Sequence, residues 1–510
     1  MTRLSIWLAL AALCVSSHAL AVTITVTSTD DTIDNADGKT TLREAIAAFN
    51  ASAVSNPGDT IAFDIPGAGV HTIALTANLP NVNKPVFING YSQPGSSANT
   101  NALNAGINAV VLIEIAAPPG GVGLQVLANG TTIRGLAIHG YRAIMVGASD
   151  VVVAGNFIGT DAAGTTALPG LSGAYGVQVF SYLSPSNNVI IGGPNDADRN
   201  LIVPAGNGID SYGNGVQLPY NPPGPGTGYV IQGNYIGTDI TGTLALSGGQ
   251  GLDAVSNALV YGNLISGNPG GAVRLIDNDT LQGNLIGTQR DGASALPNGN
   301  FGGIQIQGGN STIGYGSEAA PNVIAHNTGY GIVVYNGSTQ GSSNINTRNQ
   351  IAFNSIYANA RLGISLNYSP LVLDNDAGDL DAWALPNLIG NDGQNYPVIA
   401  SATANGGGVI VAGTLNSNAN RAFALQFFAN ATCDASGYGQ GQTFIGSTTV
   451  TTDASGNASF GPLGFNVPPG QAVITSTAED LSAAANGNTS EFSQCVSIEV
   501  GDTIFINGFD

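Results

Sequence analysis

An all-β chain, wound for most of its length as a parallel β-helix solenoid with a short N-terminal capping helix and a C-terminal β-sandwich, is the fold the sequence predicts. Three observations carry the prediction. Between residues 60 and 372 the chain is a succession of short apolar runs, many alternating and most bounded by Gly, Asn or Asp, such as "VVLIEI", "VVVAGNFIG", "YGVQVF" and "GGIQIQGG"; such runs mark short strands. The motif "GNFIGTDAAGTTALP" at 155 returns as "GNYIGTDITGTLALS" at 233 and "GNLIGTQRDGASALP" at 283, at spacings that fit multiples of about 25 residues, the size of a solenoid coil. Helical periodicity is nearly absent. Without crossover helices the strands cannot form βαβ units, so each coil must lie on its predecessor and bond to the coils above and below.

Residues 1–21, "MTRLSIWLALAALCVSSHALA", carry one base at Arg3, an apolar run from Leu4 to Val15 and small residues at Ala19 and Ala21, the layout of a cleaved secretory signal peptide. A membrane span needs about 18 continuous apolar residues, and Ser16, Ser17 and His18 end this run early. No later segment reads as transmembrane, so the expected location is secreted or at the cell surface. Cys14 would leave with the signal. An N-terminal cap is expected over 22–59, where "TTLREAIAAFN" places Leu42, Ala45, Ile46 and Phe49 at i, i+3, i+4 and i+7 on one helical face. Thr41 and Glu44 supply a capping box.

Within the solenoid, Gly and Asn suit corners that need a left-handed backbone. The "GN" pairs at 155, 233, 262 and 283 would stack their Asn amides from coil to coil as rungs. Residues 373–396 read as an acidic linker. Strands at wider spacing over 397–499 predict a small β-sandwich, and 500–510 form a tail. Cys433 and Cys495, both inside the sandwich segment, are an even number in an exported chain and are expected to pair; two buried free thiols are the alternative.

Composition narrows the function. The 510-residue chain has only 9% charged residues and 72 Gly, and its net charge of -20 arises from 12 Lys plus Arg against 32 Asp plus Glu. Such a field repels a phosphate backbone, which excludes nucleic acid as a natural partner. It also disfavours a polyuronate unless a divalent cation bridges it.

At "DGKTTLREAI" the chain resembles the N-terminal signature of the CSLREA-type secreted bacterial proteins, with Thr40 where that family has cysteine but with Leu42, Arg43, Glu44 and Ala45 retained. The segments "INGYSQPGSSANT", "TTIRGLAI" and "GNFIGTDAAGT" resemble the right-handed parallel β-helix repeats that follow in such proteins, and "FFANATCDASGYGQGQTFIGSTTVTTDASGNASF" with "NTSEFSQC" is similar to the Ig-like sandwich module at their ends. The resemblance covers nearly the whole mature chain. It implies an exported, pectin-lyase-like solenoid in a family whose members mostly lack an assigned activity.

Pectin-lyase-like folds include lyases, hydrolases and epimerases, so catalytic groups were sought residue by residue. Glycoside hydrolysis needs a carboxylate pair, and polygalacturonase-like enzymes add a Gly-His-Gly loop. Neither that pattern nor the epimerase-like "DPHD" occurs, and the histidines beyond the signal are His71, His139 and His326. The best remaining constellation is "RGLAIHGYR", in which Arg134, His139, Tyr141 and Arg142 could abstract a proton α to a carboxylate; corner and repeat residues are the plainer reading. Asp374, Asp376, Asp379 and Asp381 offer oxygen ligands for a structural calcium, or a solvated linker. No other cofactor is expected. Tyr175, Tyr212, Tyr330, Tyr335 and Tyr357 could stack on sugars if they shared one face, and Tyr330 and Tyr335 lie close enough to share a coil. The preferred expectation is a non-catalytic scaffold that acts outside the cell as an adhesin-like or glycan-binding protein. A polysaccharide lyase or hydrolase and a purely structural envelope component are the alternatives.

Overall fold

The computed structural model describes residues 20–53, 55–168, 175–180, 185–203, 207–210, 226–314, 321–335, 347–380, 389–482 and 487–500. Three parallel sheets of eleven, ten and nine strands run its length. Sheet 1 begins at Thr23–Val26 and ends at Gln350–Ile351, sheet 2 runs from His71–Ala74 to Ser355–Tyr357, and sheet 3 from Val122–Val126 to Ile364–Ser365. Strands take the three sheets in turn, so the predicted parallel β-helix is the observed fold.

Register explains the core. In sheet 2, Ile115, Ile138, Ile158, Ile202, Ile236 and Ile265 pair in succession, and all are fully buried. Each added coil thus places a β-branched side chain directly on its predecessor, where a pleated, buried surface favours it.

The corner between sheets 1 and 2 is held by amides. Asn156, Asn200, Asn234, Asn263, Asn284, Asn322 and Asn354 donate, each to the next, through Nδ2 at 2.9–3.3 Å. Asn156, Asn234, Asn263 and Asn284 are the rungs expected from the "GN" pairs. A second ladder, Asn268–Asn298–Asn327–Asn359, occupies the corner between sheets 2 and 3. A third column runs Asp279, Ser311, Asn349, Asn391. Burial pushes the Asp279 carboxyl well above the ordinary carboxylate range, toward the neutral form that is nearly isosteric with asparagine.

At the N-terminal end the predicted helix forms as Leu42–Ala51, with the Thr41–Glu44 capping box. Leu42, Ile46 and Phe49 join the core cluster with Val26 and Ile61, each large side chain contributing about 1.5–3 kcal/mol by burial. The helix covers the open first coil. Arg43 fixes it by pairing with Asp31 at 2.8 Å and donating to the carbonyls of Ala77 and Asn78.

The repeated motif differs from its sequence reading as a simple corner. Gly155 and Asn156 do form the corner and Phe157–Ile158 a strand of sheet 2, but 159–168 then folds back over that sheet's outer face, closed by a Thr160–Ala167 bridge. Copies at 238–245 and 288–295 close in the same way. Together the loops bury a second apolar layer containing Phe157, Ala162, Leu201, Tyr235 and Leu264. Asp161 Oδ1 accepts the Thr165 and Thr166 amides, and Asp239 Oδ1 those of Thr243 and Leu244. In the third copy Gln289 stands at that place, and Asp291 Oδ1 accepts the equivalent amides of Ala293 and Ser294 instead. The carboxylate is loop architecture that has moved two residues along the chain.

Residues 398–497 form a three-stranded and a four-stranded antiparallel sheet, consistent with the expected sandwich, and Cys433 and Cys495 are disulfide-bonded. Phe428 and Phe492 of this unit belong to the same apolar cluster as Ile351, Ile356 and Ile364 of the last coils. Its polar groups finish the ladders. Gln440 Oε1 accepts the Asn359 amide and Nδ2 at 3.0 Å each, Gln426 and Thr489 accept the amides of Phe353 and Ile351, and Gly441 exchanges both backbone bonds with Ile356. The sandwich therefore closes the C-terminal end of the solenoid. No helix among the described residues is long and apolar enough to cross a membrane.

Candidate ligand-binding site

Sheet 3 strands open with a small residue in "YGVQV", "GGIQI" and "YGIVV", and the packing gives the reason. A Cβ on Gly303 would lie 2.5 Å from the Gly331 oxygen and 2.8 Å from Ile324 Cγ2; one on Gly331 would meet the Gly363 oxygen at 2.6 Å and Ile356 Cγ2 at 2.8 Å. The residue three places after the strand's opening position faces outward. Its row runs Gln125, Met145, Gln178, Asp210, Asp253, then Arg274, Gln305, Val333 and Ser365. Arg274 pairs with Asp253, and Gln307 Nε2 donates to Gln305 Oε1 at 3.2 Å. This outer face is polar and largely uncharged.

At its C-terminal end the face becomes aromatic. Tyr330 opens the strand Tyr330–Val334 and Tyr335 follows it; Tyr368 lies just past Ile364–Ser365, with φ +56°. The Tyr368 ring centroid is 5.4 Å from that of Tyr330 and 5.0 Å from that of Tyr335. Arg361 lies 5.2 Å from the Tyr330 centroid and donates Nη1 to its hydroxyl at 3.3 Å. Tyr330 is fully buried, whereas Tyr368 is 37% exposed. Burial, then the neighbouring Tyr330, pushes the Tyr368 phenol above its ordinary value. The cluster presents aromatic surface, phenol hydroxyls and one guanidinium, a set suited to the apolar faces and hydroxyls of a sugar.

The two tyrosines singled out in the sequence are thus brought together. Tyr368 and Arg361 were missed; in "RLGISLNYSP" the only signal was their place on either side of the last short strand. The wider tyrosine strip does not form as one. Tyr175 lies on sheet 3 but far along it, Tyr357 ends a sheet 2 strand and packs edge-on to His326 at 5.4 Å, and Tyr212 lies outside the described residues.

The proton-abstraction constellation is spread over three faces of its coil. Arg134 ends a sheet 1 strand and pairs with Asp198 at 3.1 Å. His139 ends a sheet 2 strand 3.7 Å from Glu114, and Arg142 opens a sheet 3 strand beside Tyr141 and Tyr175. They bond to separate partners.

The acidic segment is likewise built into the fold rather than solvated throughout. Asp379 is 1% exposed and accepts from Asn395 N, Ser417 Oγ and Asn418 Nδ2. Asp376 accepts from Leu380 N, Asp374 is exposed, and Asp381 lies outside the described residues. Among the described residues no three acid, His or Cys side chains gather as a metal site.

The architecture defines the class: a parallel β-helix closed at one end by a helix and at the other by antiparallel sheets. The chain is similar to one solved tailspike, the Dettilon tailspike protein, at 12% identity and a TM-score of 0.30 over 89% of this chain and 90% of that one. No family model matches it, and no curated protein does.

Proposed function

We propose that this is an exported, non-catalytic β-helix scaffold that binds glycans outside the cell through the outer face of sheet 3, and that it belongs with the CSLREA-type proteins, its sandwich being their Ig-like module. The observation that carries the reading is the convergence of Tyr330, Tyr335 and Tyr368 with Arg361 on that face. A solenoid held internally by amide ladders leaves its outer residues free for such a surface, and the dispersal of Arg134, His139 and Arg142 supports binding over turnover.

The test is a glycan array followed by equilibrium titration of the best neutral binder. Tyr368→Ala is expected to weaken binding about tenfold, equivalent to about 1.4 kcal/mol, with the unfolding midpoint little changed. Affinity unaffected in both Tyr368→Ala and Tyr335→Ala would overturn the site. Turnover of any glycan, abolished by His139→Ala, would overturn the scaffold reading.

A further inference from the structure

We propose that the N-terminal part of the same face carries a second subsite, built on Arg142, that takes a carboxylate-bearing sugar; this rests on the glycan-binding reading above and names part of its ligand. In this base-poor chain most cations are already matched. Lys39, Arg43, Arg134, Arg199, Arg274 and Arg421 each pair with an aspartate. Arg142 has no carboxylate partner among the described residues. Its guanidinium carbon lies 5.2 Å from the Tyr141 ring centroid and 5.9 Å from that of Tyr175, and its Nε is buried without a hydrogen-bond partner.

The neighbouring strand repeats the signal. Tyr175 is the register partner of Arg142, and Gln178, three residues on, lies in the outward row. Gln178 is 1% exposed, yet both its amide atoms lack partners. A buried donor or acceptor left unmade is destabilising, so a guanidinium and an amide unmatched on adjacent strands mark a place where a ligand supplies the missing groups. The planar guanidinium fork matches a carboxylate with two parallel bonds. The two rings hold that fork and offer a face to the sugar ring, while the Gln178 amide can donate to one hydroxyl and accept from another.

The net charge does not forbid an anion here. Coils rise by about 4.8 Å, so Asp210 and Asp253, two and three coils on in the outward row, stand about 10 and 14 Å away. Those distances exceed the screening length of about 8 Å at physiological salt, and Asp253 is neutralised by Arg274. The remaining titratable neighbours are His139 and Glu114, which face each other across sheet 2, where Glu114 also accepts from Ala162 N and Thr72 Oγ1. Local complementarity therefore governs the subsite.

The experiment follows the Arg142 Nε–H signal by NMR in the mature protein, assigned by its loss in Arg142→Lys. Sodium glucuronate is expected to move it saturably; glucose, glucuronate methyl ester and sulfate at equal concentration are not. Gln178→Ala should weaken the glucuronate response about tenfold while the unfolding midpoint holds. A signal unmoved by glucuronate, or moved as strongly by sulfate, overturns the subsite. Titration of a neutral oligosaccharide against Tyr368→Ala separates the outcomes: loss of the glucuronate response with that binding intact overturns the subsite alone, and loss of both overturns the glycan reading as well.

Discussion

Glu491 should make the junction between the solenoid and the sandwich weaken as pH rises. It is 1% exposed, and its two carboxylate oxygens accept the amides of Leu366 and Leu373 at 2.8 and 2.7 Å. Burial outweighs those two hydrogen bonds and pushes its carboxyl up to about 7 from an ordinary 4.5. A carboxyl raised in the folded state binds its proton more tightly there than in the unfolded chain. Its stabilising contribution is therefore complete below pH 4.5 and is lost as pH climbs through 7. A shift of about 2.5 units at about 1.4 kcal/mol each amounts to about 3 kcal/mol across that window. Glu479, which accepts from Gln350 across the same junction, and Asp392, which accepts from Asn488, are also raised by burial and act with the same sign. At the N-terminal end, by contrast, Glu44 and Asp59 are lowered chiefly by backbone hydrogen bonds. A global unfolding curve would mix the two ends, so the assay is hydrogen exchange at the Leu366 and Leu373 amides, corrected for intrinsic rates, from pH 5 to 8. Protection should fall as pH rises, and Glu491→Gln should flatten the dependence. Protection that is level or rises with pH in the wild type would refute the reasoning.

Three other changes probe the architecture. Gln440→Ala removes the last rung of the second ladder and leaves the Asn359 amide buried and unpaired, which should cost about 1–3 kcal/mol in denaturant unfolding, with faster exchange at Asn359. Replacing Cys433 and Cys495 by serine opens a loop spanning 62 residues and should cost about 4 kcal/mol on the chain-entropy model; an unchanged unfolding midpoint would contradict it. Asp291→Ala should speed proteolytic cleavage within 288–295, through loss of an Asx-type cap worth about 1 kcal/mol, whereas Gln289→Ala should leave it slow.

The solenoid was legible because its rule is local and repeated. Alternation announced the strands, "GN" announced the rungs, and "TTLREAI" announced the helix, since in each case the residues that make the element are neighbours in sequence. The loop fold-back was hidden: "GTDAAGT" carries turn residues, but the layer it covers is assembled from Phe157, Leu201, Tyr235 and Leu264, four different coils. The third ladder was hidden for a related reason, because Asp279, Ser311, Asn349 and Asn391 share a place without sharing a residue type. Of the ligand face, Tyr330 and Tyr335 stood out by proximity. Arg142 was noticed for the wrong company, since one coil of sequence crosses three faces and so brings Arg134 and His139 near it only in the written chain.

The two ends of the solenoid pose different physical problems, and the caps differ accordingly. At the N-terminal end the exposed liability is chiefly apolar, and a single amphipathic turn-and-a-half of Leu42, Ile46 and Phe49 meets it. At the C-terminal end three ladders and the last strands stop with amides still pointing along the axis, the template that open β edges present to other chains. A helix surface cannot answer those groups, because its own backbone is already bonded. A unit that supplies Gln426, Gln440, Thr489 and Glu491 side chains together with the Gly441 backbone can. It follows that the antiparallel sheets are the final coil in chemical terms. A chain cut before residue 397 would retain every solenoid strand and still expose the edge that drives coil-on-coil association.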